Sequence, residues 1–121
     1  MFEVEINGKK HKADVTFYTA YVYEAEFGSK LVQDYMQGAD YDEAEVDGEK
    51  VAVVKFETID WMTVMRVLWA ALKTATDSTP PFEEWMRKAG GADLWDIRSY
   101  LDSAITECFF RSLGGGAEGE R

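Results

Sequence analysis

The sequence predicts an α+β fold: a single, mostly α-helical domain that opens with an N-terminal β-hairpin. Three stretches carry that expectation. Residues 2–6, FEVEI, alternate apolar and acidic side chains and run into Asn7-Gly8, the dipeptide best suited to a two-residue hairpin turn. Residues 60–77, DWMTVMRVLWAALKTATD, are apolar at almost every position. The stretch from about Asp93 to Ser112 carries apolar residues at a clean helical period.

The middle stretch organises the others. Asp60 is a good N-cap type, and its polar exceptions, Thr63, Arg66, Lys73 and Asp77, fall on one narrow line of a helix with 3.6 residues per turn. A surface helix shows the reverse pattern. This one is expected to be buried on most of its circumference, with the polar line reaching water. It is too short and too interrupted by charge to span a bilayer.

In chain order, Phe2, Val4 and Ile6 form one face of the first strand and Glu3 and Glu5 the other. The return strand is expected from Lys10 to Phe17, with Ala13, Val15 and Phe17 turned inward. A lone hairpin is marginal in water, so this one is expected to pack on the central helix. In TFYTAYVYEAEFGSK either Thr16 or Thr19 caps a helix, Phe17, Ala20, Tyr21, Glu24, Phe27 and Leu31 fall at helical spacings, and Gly28 suits its stop. Ser29 restarts a short helix with Leu31, Val32, Tyr35 and Met36, closed by Gly38.

Residues 39–50, ADYDEAEVDGEK, are the most acidic run. They read either as a second hairpin about Asp47-Gly48, pairing Glu43–Val46 with Lys50–Phe56, or as a mobile acidic loop. In DSTPPFEEWMRKAGG, Ser78 or Thr79 caps a helix, the prolines take its first positions, and Glu83 and Glu84 suit its positive end. Phe82, Trp85 and Met86 form its apolar side, and Gly90-Gly91 ends it. The last helix places Leu94, Ile97, Tyr100, Leu101, Ala104, Ile105, Cys108 and Phe109 on one stripe, with Trp95 and Phe110 off it. The domain is expected over residues 1–113; the GGGAEGER tail, 114–121, is expected to be disordered.

The totals bound the function. A length of 121 residues fits one domain, in which roughly two thirds of the unfolded surface can be buried. A formal charge of -10 argues against a nucleic-acid backbone or an anionic membrane as partner, and favours a basic or apolar one. Cys108 is the only cysteine, so no intramolecular disulfide forms and a reducing compartment is the simpler assumption. MFEVEINGKK lacks the basic-then-apolar order of a signal peptide, and a cytoplasmic location is expected.

No catalytic motif is found. His11 is the only histidine, and it falls on an expected exposed strand between Lys10 and Lys12, a poor place for a general base. Cys108 lies on an apolar stripe and reads as a buried, inert thiol. One histidine and one cysteine cannot complete a zinc site of nitrogen and sulfur ligands. The acidic run fails as a calcium loop: counted from Asp40 the fifth position is Ala44, and counted from Asp42 the third is Ala44. No cofactor is called for. The four tryptophans are the remaining candidates. Trp69 lies opposite the polar line and reads as core. Trp61, Trp85 and Trp95 each lie near a helix start; packing is the default for each, and an exposed one is a candidate protein-binding residue.

Taken together, the FEVEINGKK hairpin, the FYTAYVYEAEFG helix and DWMTVMRVLWAALKTATDSTPPFEEWMRKAG resemble the tail assembly chaperones of long-tailed bacteriophages and prophages. WAALKTATDSTPPFEEW carries most of the likeness, which extends over nearly the whole chain except Tyr41–Lys55. The resemblance implies a non-enzymatic protein of the host cytoplasm, absent from the finished virion. Such proteins hold the aggregation-prone tape measure protein before the tail tube protein polymerises around it. Self-association into a homo-oligomer through exposed hairpin edges is compatible with that role. Two other classes compete: a minor structural tail or connector component, and an acidic inhibitor that mimics nucleic acid and blocks a host protein.

Overall fold

The computed structural model describes residues 1–110. Among them the chain runs β1 (Phe2–Ile6), β2 (Lys9–Ala13), α1 (Phe17–Phe27), α2 (Leu31–Gln37), β3 (Tyr41–Val46), β4 (Glu49–Val54), a 3-10 turn (Phe56–Thr58), α3 (Trp61–Ala75), α4 (Phe82–Lys88) and α5 (Leu94–Phe109). This is the expected α+β domain, with two antiparallel hairpins set among helices. The tail at 114–121, expected to be disordered, lies outside the described residues.

Asn7 (φ 55°) and Gly8 (φ 77°) form the mirror-image turn that their sequence favours. Ile6 stands opposite Lys9 and Phe2 opposite Ala13, so Val4 and Ile6 face the core while Glu3 and Glu5 face out. The second strand ends earlier than expected, at Ala13. There the Asp14 N–H donates to the Ala71 carbonyl at 3.1 Å and docks the hairpin on α3. Phe17 is therefore not an inward strand residue. It opens α1 and is 75% exposed.

Thr16 is the α1 cap: its Oγ1 accepts the Tyr18 N–H at 3.1 Å, while Thr19 Oγ1 accepts the Thr16 N–H at 2.9 Å. The buried face of α1 is Thr19, Val22 and Tyr23, not the line through Phe17 and Tyr21. Thr19 turns inward because its hydroxyl lies 3.2 Å from the Asp14 carbonyl oxygen and 2.7 Å from the Thr74 hydroxyl. Gly28 ends the helix in the left-handed region (φ 73°), as expected. Lys30 rather than Ser29 precedes α2, and Gly38 closes it.

The acidic segment is a hairpin, not a loop. β3 and β4 pair about Asp47 (φ 54°) and Gly48 (φ 81°), with Tyr41 opposite Val54. Its base is tied down: the Lys55 N–H donates to the Asp40 carbonyl and the Asp40 N–H to Thr58 Oγ1, both at 2.8 Å.

Asp60 caps α3, accepting the N–H groups of Met62 and Thr63. Val64, Val67, Leu68, Trp69, Ala70, Ala71 and Leu72 are all buried, so the helix is wrapped as expected. Each large aliphatic side chain buried there stabilises the fold by about 1.5–3 kcal/mol. The polar line is less wet than expected. Thr63 is buried with its hydroxyl donated to Asp60 Oδ2 at 3.0 Å, Arg66 and Lys73 are half-buried, and Asp77 lies beyond the helix.

The prolines precede α4 rather than open it. Pro81 is its cap residue, Thr79 turns back on the Thr76 carbonyl, and Pro80 offers its carbonyl to the Trp69 indole N–H at 2.8 Å. Phe27, Trp69, Phe82 and Trp85 then form a chain of ring contacts, 5.7 Å from Phe27 to Trp69 and 6.2 Å from Phe82 to Trp85, that joins α1, α3 and α4. Asp93 caps α5, whose Ile97, Leu101 and Ile105 reach the core. Tyr100, expected on that stripe, is exposed and leans on Phe2 instead.

Candidate protein-binding surface

The structure separates the tryptophans. Trp69 and Trp85, 2% and 9% exposed, belong to the aromatic chain just described. Trp85, expected as a packing residue unless exposed, is thereby packed. The other two come together. Trp61 is the first residue of α3 and Trp95 the second of α5, and their rings lie 6.4 Å apart at 51°. Trp61 is half-buried and Trp95 is 48% exposed. Exposed Met62 follows Trp61 in the chain.

Each of the two helices starts on an aspartate cap, Asp60 or Asp93, whose carboxylate accepts the first free N–H groups. The result is an aromatic ledge between two acid-capped helix starts. Such a ledge offers apolar area and repels an acidic partner.

One turn beyond Trp95, a polar network fixes the flank of α5. Arg98 is 8% exposed; it donates to Asp102 Oδ2 and to the Tyr41 hydroxyl, both at 3.2 Å. Tyr35 donates its hydroxyl to Asp102. Burial, and then the Asp102 carboxylate, push the Tyr35 phenol well above the ordinary tyrosine value. Burial works against the Arg98 charge, but the Tyr41 hydroxyl and the Asp102 carboxylate outweigh it and hold the guanidinium above its usual value. The network ties α2, α5 and the base of the second hairpin together.

Two further surfaces stand out. The pairing of Ala44 with Val51 and of Asp42 with Val53 puts Ala44, Val46, Val51 and Val53 on one side of the second hairpin, and the three valines are exposed. On the opposite flank of α5, a groove of about 620 Å³ runs between β1 and the helix, with Glu3 and Glu5 on one wall and Asp93, Asp96 and Tyr100 on the other.

His11 is exposed and lines a shallow recess of about 330 Å³ that Ser78 and Thr79 also line. Thr79 donates its hydroxyl to the Thr76 carbonyl. Cys108 is half-buried rather than fully buried, and burial raises its thiol above the ordinary value. Among the described residues no cluster of three or more histidine, cysteine or acidic side chains is placed to hold a metal ion. None of the described helices is long and apolar enough to cross a membrane.

No family model, curated protein or solved structure matches the chain. The ledge was half legible in the sequence: Trp61 and Trp95 stood out, with Trp85, for lying near helix starts, but nothing linked residue 61 to residue 95. The groove had no sequence signal, because its acidic walls lie some ninety positions apart in the chain. Arg98 was missed because an arginine on an amphipathic helix ordinarily faces water.

Proposed function

We propose that this protein is a non-enzymatic tail assembly chaperone of the long-tailed phage type, which binds the tape measure protein and keeps it soluble while the tail is built. The observation that carries the reading is the Trp61–Trp95 ledge: exposed aromatic area between two acid-capped helix starts, on a domain of net charge -10. A tape measure protein is a long helix with apolar stripes. Aromatic side chains hold such a stripe through area, without needing a shaped pocket. The net charge keeps holder and cargo dispersed while apolar surface is occupied. The sequence resemblance points to the same role.

The test is co-expression with the tape measure protein of the same phage or prophage. The partner is expected to stay soluble and to co-purify with the chain, and Trp95→Ala is expected to lose the capture with the melting temperature unchanged. A tape measure protein equally soluble on its own would remove the proposal. Recovery of the chain from purified virions would favour a structural tail subunit instead.

A further inference from the structure

The first hairpin leaves one edge open, and its geometry says which backbone groups face it. In a two-residue hairpin the residues flanking the turn exchange hydrogen bonds, and bonded and non-bonded pairs then alternate. Ile6–Lys9 is the flanking pair, so Glu5–Lys10 and Glu3–Lys12 are non-bonded pairs. The backbone N–H and C=O of Glu3 and Glu5 therefore point away from β2, toward α5. Asn7 continues that direction, and its N–H is already taken: it reaches the carbonyl oxygens of Gly90 and Gly91, each at 3.1 Å. The link between α4 and α5 thus meets this edge at the turn residue Asn7, before α5 starts at Leu94. Among the described residues, Glu3 and Glu5 make no backbone hydrogen bond to any other element.

The space beside them is the groove of about 620 Å³. Its walls match in length. Phe2 to Glu5 extends about 10 Å as a strand, and Asp93 to Tyr100 about 10 Å as a helix. The Phe2 and Tyr100 rings, 6.1 Å apart, stand at one end, and the Asn7–Gly91 contact closes the other. A groove between an open strand edge and a helix is the geometry in which an extended peptide adds as a strand. Charge selects the occupant. Glu3, Glu5, Asp93 and Asp96 line the groove against a single Lys10, and among the described residues Glu3, Glu5 and Asp96 enter no ion pair.

We infer that the groove between β1 and α5 binds an extended, lysine- or arginine-bearing segment of another protein, which pairs with the backbone of Glu3 and Glu5 as a third strand. The inference goes beyond the chaperone reading and stands or falls separately, because its probe is synthetic. The full chain, labelled with nitrogen-15, is titrated with an acetylated hexapeptide alternating lysine and valine. The Glu3 and Glu5 amides are expected to shift and to gain protection from hydrogen exchange. The same peptide N-methylated at every backbone nitrogen keeps its charge but has no N–H to donate along either edge; it is expected to bind about tenfold more weakly. Its glutamate-for-lysine counterpart is expected not to bind. Asp96→Asn and Glu5→Gln, with spectra otherwise unchanged, are expected to weaken binding severalfold and to flatten its salt dependence.

Equal binding by the N-methylated peptide would overturn strand addition. So would shifts centred on Trp95 or on the second hairpin, or no response at Glu3 and Glu5 with millimolar peptide. Concentration-dependent broadening of those two amides without peptide would put a second copy of the chain in the groove and overturn the assignment.

Discussion

Gly91 sits directly against Asn7. A Cβ at position 91 would stand 2.9 Å from Asn7 Oδ1 and 3.3 Å from its Cα, and Gly91 has a φ of +54° that side chains rarely adopt. Asn7 also donates its side-chain amide to the Lys88 carbonyl at 3.0 Å. The first turn of the chain is thus bolted to the link between α4 and α5, and this contact shuts one end of the groove. Gly91→Ala is expected to cost about 1–3 kcal/mol through strain and displacement of Asn7. Gly90→Ala should cost less, because a Cβ there meets Asn7 Oδ1 at an ordinary 3.7 Å. Chemical denaturation of the two variants checks the order; equal losses would contradict it.

How much of this was legible depends on whether a residue's role is set locally. The two hairpin turns were readable from Asn7-Gly8 and Asp47-Gly48, since the turn type is decided by the dipeptide. The cap at Asp60 and the start of the last helix near Asp93 were readable for the same reason. The face of α1 was not. Apolar residues surround that helix, so periodicity does not choose a side; the hydroxyl contacts of Thr19 with Asp14 and Thr74 do, and the second of these spans 55 positions. Phe17 was misplaced because the strand ends where Asp14 finds Ala71, a tertiary event. On α5, Asp102 stands four residues beyond Arg98 on the same helix, but Tyr41, which reaches Arg98 from the second hairpin, and Phe2, on which Tyr100 leans, are tertiary partners that no helical pattern encodes.

The two kinds of tryptophan should answer substitution differently. Trp85→Ala is expected to lose about 3–5 kcal/mol of stability, because it empties a space between Phe82 and the core. Trp95→Ala is expected to change the melting temperature little, while altering the emission of Trp61 beside it. Thermal unfolding and fluorescence spectra of the two variants separate the roles. A large destabilisation from Trp95→Ala would place it in the core and weaken the ledge as a binding surface.

The second hairpin is held to the body through Tyr41 and Arg98. Tyr41→Phe removes one hydrogen bond from a charged donor and should cost about 1.5–3 kcal/mol at most. Its effect should be local: amides of β3 and β4 exchange faster while those of α3 keep their protection. Arg98→Ala should loosen the same strands and lower global stability as well, because it leaves Asp102 without its cation. Hydrogen exchange resolved by residue distinguishes the two. Uniformly faster exchange in Tyr41→Phe would mean that the hairpin is not a separately opening unit.

Alkaline pH should unfold the domain through two phenols. The Tyr23 hydroxyl donates to Asp34 at 2.8 Å and that of Tyr35 to Asp102, and in both cases burial first, then the carboxylate, raises the phenol well above the ordinary tyrosine value. The native state therefore holds these protons more tightly than the unfolded chain does. Below about pH 10 both states are protonated and the contribution is fully present. As pH rises further the unfolded chain ionises, the native state binds more protons than the unfolded one, and stability falls by up to about 1.4 kcal/mol per pH unit for each phenol. Urea unfolding between pH 9 and about 11.5 should show that slope, reduced in Tyr23→Phe and in Tyr35→Phe and more so in the double variant. An unchanged slope in the double variant would assign alkaline unfolding to the net negative charge of the chain, because self-repulsion grows with pH whether or not these two hydroxyls are present.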